Sequence, residues 1–235
     1  MIGESKMVIL ITGASKGIGY AIARHYTELG HSVYGISRTA SEIADSNYQH
    51  YEASVDDEEK VHSAIRAIKR KSGRLDVLIN NAGVASMNHS LLTTTDTLKQ
   101  IFSTNVYGTF ICSREAAKLM IRAKYGRIIN ITTFAVPFKL EGEAVYAASK
   151  AAVDSLTHIM AREYAEWNIT VNAIAPPAVK TNLIAGVDEK KLKKLLERQA
   201  IHKYGVPEDV INTIDFLIRP SSGMVTGQTI YLGGV

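Results

Sequence analysis

Short apolar runs, several of them nearly all apolar, alternate with longer amphipathic stretches from one end of this 235-residue sequence to the other. The runs fall at 8–12, 32–37, 48–53, 77–80, 126–132, 169–175 and 229–232. Segments so short and so apolar suit strands covered on both faces, which is the condition of a parallel sheet. The stretches near 18–29, 57–71, 94–123 and 144–166 carry helical periodicity. Strand and helix in this alternation predict a doubly wound, parallel α/β sheet of about seven strands with right-handed crossovers. No linker, internal repeat or low-complexity tract interrupts the pattern, so 1–235 is expected to form a single domain. The least patterned part, about 177–206, follows Pro176-Pro177 and holds a charged helix near 188–199. It is the expected flexible flap over a substrate.

Hydrophobic residues make up 46% and charged residues 21%, enough apolar material for a buried core and too much for a disordered chain. A formal net charge of +4 is too mild for a nucleic-acid binder. Cys112 is the only cysteine; it forms no internal disulfide and reads as a small buried apolar side chain. The first apolar run, 7–11, is too short for a signal peptide or a membrane span, and no other segment approaches one. A soluble, cytoplasmic protein with no membrane partner is therefore expected. The seven histidines are scattered without paired spacing, so no metal site is expected.

The first run leads into T-G-A-S-K-G-I-G at 12–19 and then into an amphipathic helix. Gly13, Gly17 and Gly19 permit a tight turn and close backbone approach, and Ser15, Lys16 and Ile18 lie between them. The free N–H groups opening the helix suit a pyrophosphate. The same letters spell G-x-S-x-G around Ser15, the nucleophile elbow of hydrolases. That motif needs strands ahead of it, and here it follows the first. At the end of the second run stand Ser37 and Arg38, where an NAD site carries an acid. Arg38 and Lys16 suit a ribose 2′-phosphate, which makes NADP(H) the expected cofactor; the alternative is that both are plain surface cations.

Tyr146 and Lys150 are four residues apart on a predicted helix and share one face. An ammonium beside a phenol stabilises the phenolate and draws its pKa from about 10 toward neutrality. Taken together, these pieces resemble the short-chain dehydrogenase/reductase family over the whole chain, with its Rossmann-type fold. In order they are T-G-A-S-K-G-I-G, N-N-A-G at 80–83, S-T-N-V-Y-G around Asn105, I-N-I-T-T at 129–133, Y-A-A-S-K at 146–150, V-N-A-I-A-P at 171–176 and T-G-Q-T-I at 226–230.

The resemblance implies that Tyr146 is the general acid toward a carbonyl oxygen. Lys150 then lowers its pKa and binds the nicotinamide ribose, and Asn105 holds a relay water behind the lysine. Asn81, Ala82 and Gly83 pack on the cofactor, and Thr181 lies near its carboxamide. Thr133 stands at the position of the family's catalytic serine, with Thr132 alongside as a substitute. Phe134 and Phe138 line the pocket. Two departures bear on the cofactor: Ser54 replaces an Asp common at the adenine, and Pro176-Pro177 replaces Pro-Gly, removing a donor and a permissive glycine.

The implied activity is NADPH-dependent transfer of hydride to a ketone, giving a secondary alcohol, with a small-molecule carbonyl as partner. Length, compact C-terminus and Arg127 look like 3-oxoacyl-[acyl-carrier-protein] reductases, which dock their carrier on basic residues; the second docking position holds Trp167. A 3-oxoacyl thioester is thus one substrate, and the basic helix at 188–198 is either its lid or an ordinary solvated face. The alternatives are a sugar, polyol or secondary-metabolite ketone dehydrogenase and, from another class, a non-catalytic NADP-binding scaffold. The intact Tyr146, Lys150 and Asn105 argue against the scaffold. A homotetramer or homodimer is implied.

Overall fold

The computed structural model describes residues 6–179 and 189–235. The apolar runs become strands β1 (Val8–Thr12), β2 (Ser32–Ser37), β3 (Tyr48–Glu52), β4 (Val77–Asn80), β5 (Gly126–Ile131), β6 (Ile169–Ala175) and β7 (Thr229–Tyr231). They pair in the order β3-β2-β1-β4-β5-β6-β7, every pair parallel. The helices are α1 (Gly17–Glu28), α2 (Glu58–Ser72), α3 (Thr95–Phe102), α4 (Gly108–Ala123), α5 (Ala135–Phe138), α6 (Ala144–Tyr164), α7 (Glu189–Arg198) and α8 (Pro207–Ile218). Among the described residues no helix is long and apolar enough to cross a membrane.

Pleating sends successive side chains of each strand to opposite faces, so an all-apolar strand feeds two cores. Val8 and Leu10 of β1 pack with Val61, Ile65 and Ile68 of α2 and Cys112 and Met120 of α4. Ile9 and Ile11 pack on the other face with Ile22 and Tyr26 of α1 and Ile214 and Leu217 of α8. The edge strands β3 and β7 lack this double cover and are only partly buried.

Besides the short additional helix α5, two elements differ from the sequence expectation. The stretch expected as one helix over 94–123 is broken by a π turn, Ser103–Tyr107, between α3 and α4. Helix α8 is additional: Pro207 opens it, Glu208 and Asp209 fill its first turn, and Val210, Ile211, Ile214, Leu217 and Ile218 recur at helical spacing. The Asp209 carboxylate also accepts from the Val206 N–H at 2.9 Å.

α2 shows how local chemistry sets a boundary. Asp57 accepts from the Lys60 N–H at 3.1 Å, Glu58 and Glu59 complement the positive end of the helix, and Lys69, Arg70 and Lys71 the negative end. Gly73, at φ 72°, takes the left-handed turn that stops it. Replacing Asp57 with Ala is expected to cost about 1 kcal/mol. Urea unfolding should show this as a lower midpoint with an unchanged slope; an unchanged midpoint would deny the cap its contribution.

Candidate active site

Right-handed crossovers carry the chain from β1 toward one edge of the sheet and from β4 toward the other. Their carboxyl ends therefore border a crevice, the usual ligand position in such a sheet. The turn after β1 is stitched to the loop after β4. The Thr12 hydroxyl accepts from the N–H groups of Asn81 and Ala82, each at 3.0 Å. The Asn81 amide donates to the Thr12 carbonyl at 3.0 Å and the Gly13 carbonyl at 3.3 Å. Gly19 must be glycine, since a Cβ there would lie 2.3 Å from both Asn81 Nδ2 and the Gly13 carbonyl oxygen. Gly13 and Gly17 adopt φ 69° and 60°, and Lys16 caps α1 without any side-chain bond. The first N–H groups of α1 are thus available to an anion. Lys16 is exposed, and Ile18 is partly buried against the core below.

Ser37 and Arg38 lie at the end of β2, Ser37 buried and Arg38 exposed. Thr39 donates to the Ser15 hydroxyl at 3.0 Å, joining this turn to the glycine turn. Ser54 lies after β3 and donates to Asp56, which also accepts from Ser103. Burial works to raise the Asp56 pKa, but the Ser103 and Ser54 hydroxyls and the Arg38 charge outweigh it, leaving the carboxyl below its ordinary value.

Across the crevice, α6 presents Tyr146 and Lys150, 8% and 4% exposed. The Thr133 side chain faces the Tyr146 phenol and acts to lower its pKa. Thr132 turns the other way, its hydroxyl 3.4 Å from the Lys150 carbonyl, so of the two threonines it is Thr133 that meets the phenol. Lys150 Nζ donates to the Ile131 carbonyl at the end of β5, at 2.7 Å. A Cβ placed on Gly83 would lie 3.3 Å from Asn105 Oδ1 and 3.4 Å from Lys150 Nζ, so the N-N-A-G turn, the π turn and α6 converge at one point.

Asn105 is completely buried. Its amide donates to the Val84 carbonyl and the Ser149 hydroxyl and accepts from the Val84 N–H, each at 2.9 Å. The π turn is what aims it there; such one-residue insertions in helices are frequent at functional sites. Beneath lies a polar ladder that the motifs do not announce. Asn80 donates to Ser113 and to Asn130, each at 2.8 Å, and Asn130 donates to Thr157 at 2.9 Å, tying β4 and β5 to α4 and α6.

The electrostatics correct one expectation. Burial pushes the Tyr146 phenol up to about 12; the Thr133 side chain opposes this and the Glu143 charge reinforces it. Burial pushes the Lys150 ammonium down to about 8. Desolvation therefore exceeds any lowering of the phenol by its neighbour. Glu143, three residues before Tyr146, is half-buried, its pKa raised by that burial, and its carboxylate makes no hydrogen bond or ion pair among the described residues.

Of the expected flap, 180–188, and with it Thr181, lies outside the described residues. Around it Val179 bridges Gly205, and the Gln199 side chain accepts from the Ala178 N–H at 3.3 Å. The Pro177 ring occupies the space that a Cβ on Gly205 would fill, at 2.1 Å. Arg198 at the end of α7 donates to the Phe138 carbonyl and lies 4.8 Å from the centre of its ring, and Phe138 in turn packs on Phe134.

Arg127 departs from its expected role. It starts β5, at the end of the sheet opposite the crevice, and is 1% exposed. Its guanidinium lies 4.4 Å over the Tyr125 ring and donates to the Gly126 carbonyl. Alternation puts it on the same face of the sheet as Ile129 and Ile131, and buried there it offers no cation to a docking protein.

Comparison with known proteins extends over the whole of this architecture. A family model described as Enoyl-(Acyl carrier protein) reductase matches residues 13–234. The 3-oxoacyl-[acyl-carrier-protein] reductase FabG of Rickettsia conorii (strain ATCC VR-613 / Malish 7) is 34% identical over 240 residues, spanning 100% of this chain and 98% of that protein. The solved structure of ElxO with NADP bound aligns with a TM-score of 0.88 at 31% identity, covering 97% of each chain. Thermoplasma acidophilum aldohexose dehydrogenase, in ligand-free form, aligns with a TM-score of 0.88 at 29% identity, covering 97% of this chain and 94% of that one.

Proposed function

We propose, because this chain belongs to the short-chain dehydrogenase/reductase family, that it is an NADPH-dependent reductase converting a ketone to a secondary alcohol. The observation that carries the reading is the buried Tyr146 phenol, facing Thr133 and one helical turn from Lys150, beside a glycine turn shaped for a dinucleotide.

The residues present fit such a cofactor. Gly13, Ser15, Lys16, Gly17, Ile18 and Gly19 would receive the pyrophosphate, Ser37 and Arg38 the 2′-phosphate, and Asn81, Ala82 and Gly83 the nicotinamide half with Lys150. Bound there, the nicotinamide supplies hydride. Everything else falls to the chain. Tyr146 holds its proton at neutral pH and gives it to the carbonyl oxygen as negative charge develops there. Thr133, facing that phenol, orients and polarises the same oxygen, and burial strengthens the bonds that both hydroxyls make to it. Lys150 stands behind the tyrosine, and Asn105 fixes the Val84 backbone against α6.

Two substrate classes remain in play, and one observation separates them. The likeness to 3-oxoacyl-[acyl-carrier-protein] reductases supports a 3-oxoacyl thioester. Glu143 favours the other class, a hydroxyl-bearing ketone such as a sugar or polyol. A half-buried carboxylate with no partner among the described residues, beside Tyr146, calls for a donor, and the substrate's hydroxyls would provide it. The inward-turned Arg127 also removes one support for carrier docking.

The reading is tested by following NADPH oxidation with acetoacetyl-CoA and with dihydroxyacetone. Tyr146→Phe should lower turnover by about 10²–10⁴-fold, the range of general acid catalysis, and leave NADPH affinity unchanged; retained turnover ends the assignment. Arg38→Asp should weaken NADPH by about 1.5–3 kcal/mol, the scale of a charged hydrogen bond, and spare NADH; an unmoved preference would make Arg38 plain surface. If reduction needs the Lys150 ammonium, kcat/KM should be flat on the acid side and fall as pH rises through about 8, where Lys150 loses its proton while Tyr146 keeps its own. A profile still flat well above that point would remove the lysine from the rate.

A further inference from the structure

Arg38 is the residue assigned above to the 2′-phosphate, yet it is exposed and makes no hydrogen bond or ion pair among the described residues. Its two neighbours are held far more firmly. The agent is an aromatic pair on β3, Tyr48 and His50, which the alternation of the strand places on one face. His50 pairs in register with Gly35 of β2. A Cβ on Gly35 would lie 2.2 Å from the Tyr48 hydroxyl and 2.8 Å from His50 Nδ1, so β2 surrenders a side chain to admit this pair.

The bonds around His50 fix its proton. Nε2 lies 3.0 Å from the Thr39 carbonyl oxygen and 2.9 Å from the Ser37 hydroxyl. A carbonyl can only accept, so Nε2 carries hydrogen and donates. In the neutral ring Nδ1 is then an acceptor, and the Tyr48 hydroxyl, 2.7 Å away, donates to it. Burial, which holds the imidazole below its ordinary pKa, favours this neutral form. Ser37 in turn donates to the Thr39 carbonyl at 2.9 Å, closing a ring of bonds around the residues that flank Arg38. From the other side Thr39 reaches the Ser15 hydroxyl of the glycine turn at 3.0 Å.

We infer that His50, oriented by Tyr48, is a positioning residue for cofactor discrimination, holding the Ser37-Arg38-Thr39 turn ready for the 2′-phosphate of a dinucleotide. The inference rests on the NADPH reading. Its physical content is pre-organisation: a turn already fixed loses little backbone freedom when the phosphate arrives. His50 touches no cofactor atom in this account; it acts through the turn.

The test is fluorescence titration of the full-length protein with NADPH and, separately, NADH. His50→Phe removes the donor to Thr39 and should raise the NADPH Kd about tenfold, the equivalent of one well-placed hydrogen bond, with NADH left within about twofold. His50→Gln keeps an N–H within reach of the Thr39 carbonyl and should bring NADPH back to within about threefold of wild type. Tyr48→Phe, a milder change, should weaken NADPH without moving NADH. Equal weakening of both cofactors would reduce His50 to a structural residue and overturn the inference, as would no effect on either. If Arg38→Asp leaves NADPH affinity unchanged, the NADPH reading itself falls, a result independent of any His50 variant.

Discussion

Two adjacent strands that end side by side and send their chains toward opposite edges leave backbone N–H and C=O groups with no ladder to join. Buried groups of that kind are costly unless they find partners. At β1 and β4 the partners are side chains. Thr12 takes two N–H groups of the N-N-A-G turn, and Asn81 returns two bonds to the carbonyls of Thr12 and Gly13. Asn105 takes both backbone groups of Val84. Each of these side chains is fixed by what it satisfies, and each thereby brings its own element to the crevice. The glycine turn, the π turn and α6 meet at one place because the sheet must finish its hydrogen bonding there.

The same burial sets the acid–base character of the site. Desolvation raises the phenol of Tyr146 and lowers the ammonium of Lys150, so the two move apart in the sense that keeps both groups neutral. In the proposed reduction this ordering has a direction. A phenolate left behind after donating is a stronger base than the lysine amine, and a proton supplied from the lysine side runs downhill to it. The buried pair would serve as a donor and its refill.

Much of this was legible in the sequence, for reasons that particular residues make plain. Strands covered on both faces are apolar on both, so V-I-L-I-T and V-L-I-N announce themselves as buried. The spacing of Tyr146 and Lys150 is a fact of helix geometry that needs no tertiary structure. What escaped depends on surroundings. Arg127 carries a charge and so looks like surface, but its position in the strand turns it inward onto Tyr125. The direction of the Tyr146 shift depends on how deeply α6 is covered, which spacing does not encode. The ladder Asn80–Asn130–Thr157 joins residues far apart in the chain, and only the β4–β5 register brings them together. Helix α8 carries its own start signal in V-P-E-D, directly after an irregular, charged stretch.

The π turn between α3 and α4 makes the length of this part of the chain a matter of orientation. It holds one residue more than the α turn it stands in for, and each residue of a helix turns the chain by about 100°. Losing one residue anywhere in 103–107 would leave a continuous, well-bonded helix. It would also rotate all of α3 relative to α4 by more than a quarter of a circle and carry Asn105 away from Val84. Insertions and deletions elsewhere on the surface change loop length; here a single codon acts as an angular coordinate.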